Sequence, residues 1–545
     1  MVVSTSVSYY SRARWRVTPA YIHMERCWPN IDKLSPCEAG CPLYVDIPNF
    51  VQAITIGDFA KALSILREKN PLPSICGHVC WHPCEDECNR DVLDSQVAIQ
   101  WLERFAAEQG NGTKPEPLKK EKEERVAVIG SGPAGLTAAY DLARKGYDVA
   151  VFEASSIPGG KPATVTPNFM LPLEAIQADI DHIKALGIKI HTNVNVGKDV
   201  SISTLQKQGF KAILLACGAE RSDGLKIPGS DLSGVVSALP FLEKMKLGKG
   251  AALTGKVWVI GGDSVAVAAA RTAIRLGAEE VHIACLEAMG DRTDPGNMTA
   301  PAWEIEAAVR EGVQIEPSLA PQEFKSENGT RISGIDFKRV MALPPGGKGK
   351  VHRTLRGFPL VEMEGPDSDY AVDADTVIDA ANVFQPKRRI PEVGDILPAS
   401  AGKGRKGGLQ VNNDTFETNV TGVFAVGDRS GTGSHIVESM GDGRTAATSI
   451  DQYLSGQYII PIKETRIELT IKQEQVPAYL TRKERWDIPR LLPADAVKTF
   501  EAEELGYTAW QAVLEAKRCL NCRMCGNCIF ERGHVCKETG SRLLL

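Results

Sequence analysis

Residues 125–154 read RVAVIGSGPAGLTAAYDLARKGYDVAVFEA, and this stretch decides the fold. A β-branched run leads into Gly130, Gly132 and Gly135, a helical pattern follows, and a second apolar run closes on Glu153. The first glycine permits a tight turn, the second lets backbone approach a pyrophosphate, and the third lets helix and strand pack closely; an acid ending the next strand accepts ribose hydroxyls. Pro133 and Ala134 complete the turn, and Gly160, in the glycine pair beyond the second run, is assigned to the same site. Glycine turns alone are common, but the whole unit with its acidic end is specific for a dinucleotide.

The unit recurs at 256–287, KVWVIGGDSVAVAAARTAIRLGAEEVHIACLE, with Gly261 and Gly262 at the turn, Ala266 at the helix-packing position and Glu287 closing the strand. Its middle glycine is replaced by Asp263, whose carboxylate repels a phosphate unless it points away, so a nicotinamide site and a purely structural repeat both stay open. If a nicotinamide binds, Glu287 favours NAD(H) over a 2′-phosphate, and CLEAMG offers no adjacent Arg pair.

The further β-rich runs KAILLACG, DTVIDAA and GVFAVGD, with helical patterns between several of the runs, predict parallel strands and crossovers. With 545 residues the chain exceeds one ordinary core. Expected boundaries are a helical Cys-rich domain at 1–110, a charged linker at 111–124, a first dinucleotide domain in two parts at 125–250 and 376–455, a second at 251–375, and a Cys-rich extension at 456–545. A net charge of −5 argues against nucleic acid. No apolar run reaches the ~20 residues that span a bilayer, and the N-terminus lacks a signal-like segment, so no membrane partner and a cytoplasmic location are expected.

Residues 421–450, TGVFAVGDRSGTGSHIVESMGDGRTAATSI, resemble the closing FAD motif of two-dinucleotide flavoproteins. That resemblance puts Gly427 and Asp428 in the flavin site, with Asp428 on the ribityl chain and the following helix aiming its N-terminus near the isoalloxazine.

Twelve of fourteen cysteines fall into two groups near the ends, a pattern that favours metal or cluster ligation over a disulfide scaffold. The first comprises Cys27, Cys37, Cys41, Cys76, Cys80, Cys84 and Cys88; the second, in KRCLNCRMCGNCIFERGHVC, comprises Cys519, Cys522, Cys525, Cys528 and Cys536. Thiolates at such short spacings suit the four irons of a [4Fe-4S] cubane, with structural zinc as the rival. His78 and His82 are read as hydrogen-bond partners of sulfur rather than ligands, and Cys217 and Cys285 as small buried hydrophobes. PGGKPATVTPNFMLP holds no redox Cys pair after the first acidic strand, which argues against thiol–disulfide catalysis.

The order CP, NPLPSICGHVC, CEDEC, linker, GSGPAG, GGDSVA and GVFAVGD resembles the glutamate synthase small subunit family, whose modules recur in dihydropyrimidine dehydrogenase, over about residues 27–455. The resemblance implies an α/β two-dinucleotide-binding-domain flavoprotein preceded by a helical iron–sulfur domain. It implies one cluster on Cys41, Cys80, Cys84 and Glu103, and a second held in part by Cys37 and Cys88, with Cys76 either a ligand or a buried thiol. The family commonly shows a Cys-x-x-Cys pair before the position of Cys37, whereas RCWPNIDKLSPC has only Cys27 there.

The expected function is electron transfer between NAD(H) and a partner catalytic subunit through FAD and two or three [4Fe-4S] clusters. Companions implied by the resemblance are a glutamate synthase large subunit or a 2-oxoacid, aldehyde or formate oxidoreductase, and possibly ferredoxin. The alternatives are an electron-conducting subunit that binds no nicotinamide and a stand-alone NADH:ferredoxin-type enzyme.

Overall fold

A computed structural model describes residues 33–110, 115–218, 224–291, 294–346, 349–381, 411–426, 435–460, 467–468 and 482–522. Cys27, Gly427, Asp428, Cys525, Cys528 and Cys536 lie outside these.

The Cys-rich start is helical, and its helices include α1 (Ile47–Thr55), α2 (Pro73–Val79) and α3 (Ile99–Gln109). The Asp46 carboxylate accepts from Asn49 N and caps α1, which buries Phe50, Val51 and Ile54. Pro73 begins α2, where a missing amide hydrogen costs nothing. A Cβ on Gly77 would lie 2.5 Å from Arg104 Cα, so glycine is what lets α2 and α3 approach and sets the Cys76–Cys80 segment against Glu103.

Two five-stranded parallel sheets form the α/β body. The first uses β1 (Arg125–Ile129), β2 (Asp148–Phe152), β3 (Lys189–His191) and β4 (Phe210–Leu215). The second uses β5 (Val235–Ser237), β6 (Lys256–Ile260), β7 (Glu280–Ala284), β8 (Gln314–Glu316) and β9 (Thr376–Asp379), and β10 (Val423–Ala425) returns to the first. Their orders are β10-β4-β1-β2-β3 and β5-β9-β6-β7-β8. Val126, Ala127 and Val128 of β1 are wholly buried, as both faces of a helix-covered parallel strand require. The two-dinucleotide α/β fold with a helical Cys-rich start is as the sequence implies.

The expected boundaries at 251 and 375 need correction. Val235–Ser237 and Thr376–Asp379 pair with each other in the second sheet, and Thr376 also stands opposite Val257 of β6. The second unit therefore begins before 251 and ends after 375, because its sheet edge is built from segments outside that window. Between β8 and β9 it carries an antiparallel sheet of Leu319–Lys325, Gly334–Ala342, Val351–Arg353, Pro359–Glu362 and Asp369–Asp373, which the sequence reading did not foresee.

Helices α4 (Pro133–Arg144), α5 (Ser264–Arg275) and α6 (Ile436–Leu454) follow β1, β6 and β10 respectively, and α7 (Ala509–Ala516) comes last. One continuous core joins α1, α2 and α3 to α4, α6 and α7, so the Cys-rich start, the first sheet's helices and the chain's end are packed as one body. Among the described residues no helix is long and apolar enough to cross a membrane.

Candidate functional site: a two-dinucleotide cavity beside two groups of thiols

A cavity of about 600 Å³ opens between the two parallel sheets. Gly130, Gly132, Pro133, Ala134, Glu153 and Gly160 of the first unit line it. The three turn glycines differ in the way the motif demands. A Cβ on Gly130, at φ +103°, would lie 2.4 Å from Ala216 O, and one on Gly135 would lie 2.1 Å from Gly130 O, whereas one on Gly132 would meet nothing within 4 Å. Gly132 therefore faces open space where a pyrophosphate would sit. No side chain caps α4, which leaves its first amides to a ligand. The Glu153 carboxylate accepts from Ser131 N at 2.8 Å, Ser131 Oγ at 2.6 Å and Ser155 N at 2.7 Å, which fixes it at the cavity wall. His435, Ile436 and Ser439 bring the N-terminus of α6 to the same wall. This donor set and volume fit FAD.

The second unit is built differently. Asp263 Oδ1 accepts from Val265 N and Ala266 N, both at 3.0 Å, so its carboxylate occupies amides that the first unit leaves uncapped. Burial raises Asp263 to about 6, with the neighbouring Glu287 adding to the rise and Lys161 opposing it. Glu287, only 6% exposed, accepts from Leu355 N at 3.0 Å and lies outside the cavity lining, as do Gly261, Gly262 and Ala266. Leu355 and Arg356 do line it, together with Asp263, Ser264 and Val265. Arg356 is a residue the sequence reading missed: it lies far along the chain from Glu287, and no local motif marks it. Cys217, read as a buried hydrophobe, is half-buried and also lines the cavity, whereas Cys285 is buried as expected.

The thiols form two groups. In the first, burial raises Cys41 to about 11, with the Glu103 carboxyl adding to the rise, and Cys80 is raised by burial and then by Glu103 and Cys41. Cys84 is raised by burial, with Cys41 and Cys80 both contributing. Glu103 accepts from Asn70 Nδ2 at 2.5 Å and is pushed up to about 8 by burial. Cys76 adjoins Glu103 and Cys80, and its thiol lies 3.7 Å from Met440 Sδ of α6. In the second group Cys37, Cys88, Cys519 and Cys522 line one small hollow under α1.

Among the described residues no three His, Cys, Asp or Glu converge closely enough to hold a single metal ion. Cys37, Cys88, Cys519 and Cys522 surround a hollow instead. Soft, desolvated sulfurs that hold their protons when unliganded are the donor set an iron–sulfur cluster exchanges for iron. His78 is driven to about 3 by burial, and its Nδ1 lies 2.8 Å from Ser74 O. The backbone N–H of His82 donates to Cys80 Sγ at 3.3 Å, while its ring Nδ1 faces Cys80 O.

The two sites adjoin. Val79 and Trp81, on either side of Cys80, line the dinucleotide cavity.

Residues 124–447 match the model of the pyridine nucleotide-disulphide oxidoreductase family, and residues 15–114 match the model described as dihydropyrimidine dehydrogenase domain II, 4Fe-4S cluster. The chain is 32% identical to the NADP(+)-dependent formate dehydrogenase subunit beta of Moorella thermoacetica over 90% of its own length and 71% of the relative's. It is 33% identical to the NADPH-Fe(3+) oxidoreductase subunit beta of Geobacter sulfurreducens, covering 90% and 76%. It is likewise 33% identical to the glutamate synthase [NADPH] small chain of Azospirillum brasilense, covering 78% and 88%.

Proposed function

Because this chain belongs to the pyridine nucleotide-disulphide oxidoreductase family and carries a 4Fe-4S domain ahead of it, we propose that it is the FAD-dependent NAD(P)H oxidoreductase subunit that feeds electrons to a separate catalytic subunit. The observation that carries this reading is the shared cavity: the first dinucleotide turn, the start of α5 at Asp263, Ser264 and Val265, and the two residues flanking Cys80 line one space. Bound FAD supplies the conversion between the hydride pair of a nicotinamide and the single electrons that iron–sulfur centres accept.

The chain's own residues have separate tasks. The uncapped first turn of α4 and the open face of Gly132 receive a pyrophosphate, and Glu153 holds ribose hydroxyls. The N-terminus of α6 supplies a positive dipole end at the cavity wall. Cys41, Cys80, Cys84 and Glu103 would hold one cluster, which would supply a one-electron acceptor.

For the nicotinamide, NADPH is the choice we favour over the NAD(H) expected from Glu287. Glu287 is tied to Leu355 N, Arg356 lines the cavity, and the three relatives named above are NADP-linked. The partner is a catalytic oxidoreductase subunit, in keeping with relatives named as beta subunits and a small chain.

Anaerobic titration of the purified protein with NADPH tests this: flavin absorbance should bleach and the cluster signals should then develop. A second reading, an electron-conducting subunit without nicotinamide binding, is favoured by the Asp263 cap, and a flavin that neither NADPH nor NADH bleaches would establish it.

A further inference from the structure

We propose that Cys519 and Cys522, from the far end of the chain, complete a single [4Fe-4S] site with Cys37 and Cys88, so that the tail supplies the thiolate pair the N-terminal module lacks. The proposal rests on the reading that this module carries iron–sulfur clusters, and it adds a tail-derived pair to the Cys37 and Cys88 that the family resemblance implies.

Three observations carry it. The four thiols line one hollow, closed by Pro36 and Val51. Donors already face the sulfurs, since Asn89 Nδ2 donates to Cys522 Sγ at 3.4 Å and Asn521 N to Cys519 Sγ at 3.4 Å, while Ser35 Oγ lies 3.2 Å from Cys37 Sγ. Such donors stabilise thiolate once iron replaces the protons.

The third observation is the anchor that holds the tail there. Arg518, 1% exposed, donates to Glu515 Oε1 at 2.6 Å, Asp94 Oδ1 at 3.0 Å and Ser95 O at 2.6 Å. Glu515, wholly buried, accepts in turn from Ala98 N at 2.8 Å, and Arg90 Nη1 donates to Arg518 O at 3.2 Å. A buried charge network of this kind is costly unless every member is paired, and here it fixes the residue immediately before Cys519 onto the loop that follows Cys88. A Cys-x-x-Cys step then offers two sulfurs, and Cys37 and Cys88 offer two more: one for each iron of a cubane. The site lies next to the first group, since Cys37 adds to the rise at Cys84.

The test uses the anaerobically purified full-length protein, and its first arm is the parent. Parent protein with zinc in place of iron and sulfide would sink the iron–sulfur reading itself, before ligand assignment is asked. Given iron, the variants are Cys37→Ala, the pair Cys519→Ala with Cys522→Ala, and all three changes together. Each should lose the same cluster, about four iron atoms and one electron-spin signal, and the triple variant should lose no more than either parent variant. FAD content and the other cluster's signal should stay. Losses that add in the triple variant, or a Cys519/Cys522 pair variant with full iron, overturn the proposal.

A second measurement needs no substitution. During slow chelation of the parent protein, mass spectrometry of alkylated thiols should show Cys519 and Cys522 becoming reactive in step with Cys37 and Cys88. Reactivity of the two pairs at different rates overturns it equally.

Discussion

The indole of Trp81 and the imidazole of His435 lie 5.2 Å apart, centroid to centroid, where the Cys-rich module meets the N-terminus of α6. Trp81 follows Cys80 in sequence and His435 caps the helix that faces the dinucleotide cavity, so this pair is one contact between the Cys-rich module and the cavity wall, beside that of Cys76 with Met440. Trp81→Ala should leave flavin bleaching by NADPH at its parental rate and slow the subsequent appearance of reduced cluster. Stopped-flow absorbance read at flavin and cluster wavelengths separates the two phases; equal slowing of both, or of neither, argues against this contact as the route.

The turn glycines of β1–α4 should fail in different ways. Gly135→Ala drives a Cβ to 2.1 Å from Gly130 O and should prevent folding or destabilise severely. Gly132→Val, whose Cβ direction is open, should fold and melt as the FAD-free parent does, yet bind FAD far more weakly. Thermal melts with and without added FAD make the comparison, and a Gly132→Val protein that retains tightly bound FAD contradicts the pyrophosphate placement.

Removing the Arg356 guanidinium should weaken NADPH and spare NADH. A charge-assisted hydrogen bond contributes about 1.5–3 kcal/mol, so Arg356→Ala should raise KM for NADPH about tenfold or more. Parallel KM measurements with both nucleotides check this. An equal effect on the two would assign Arg356 to packing.

Asp263 gives a pH dependence whose sign follows from its environment. Burial raises it to about 6, so it is protonated below that value and charged above it, where it faces any incoming phosphate as a carboxylate. Glu287 and Lys161 are the charged neighbours that shift it, in opposite directions. The raised value also means that the folded state holds more protons than the unfolded chain between pH about 4 and 6, so this residue's contribution to stability is present at low pH and lost as pH rises through about 6. Nicotinamide affinity should accordingly strengthen as pH falls through about 6. Asp263→Asn, which keeps the helix cap, should flatten that profile and tighten binding at neutral pH by several-fold, on the order of 1 kcal/mol. Calorimetric Kd values between pH 5 and 8 decide it.

Breaking the Arg518–Glu515 pair should release the chain's end. Both side chains are almost wholly buried, and removing one partner of such a pair typically costs about 3–5 kcal/mol because the other charge is left uncompensated. Glu515→Ala should therefore lower the melting temperature and reduce iron content while FAD is retained. Unchanged melting and iron would show that the tail is held by other means.

The two dinucleotide turns, most of the parallel strands and the two sets of cysteines were readable along the chain, because each is written in residues close together. Gly130 and Gly135 declare their turn through a positive φ and a close backbone approach that no other residue meets, and runs such as RVAVI declare a strand buried on both faces. What the sequence could not decide depends on groups brought together from distant positions. The edge of the second sheet is made by Val235–Ser237 and Thr376–Asp379, which fall outside the repeat that announces that unit. Asp263 had either to repel a phosphate or to turn away, and only folding shows its carboxylate capping α5. Glu287 had a free ribose as its expected partner until the chain near Leu355 reached it. The fourfold gathering of Cys37, Cys88, Cys519 and Cys522 likewise needs the buried Arg518 to dock one end of the chain on the other. Turn chemistry and periodicity act over a few residues and survive in any local reading; desolvation, ion pairing and the sharing of ligands act through space, so they were decided only by the tertiary structure.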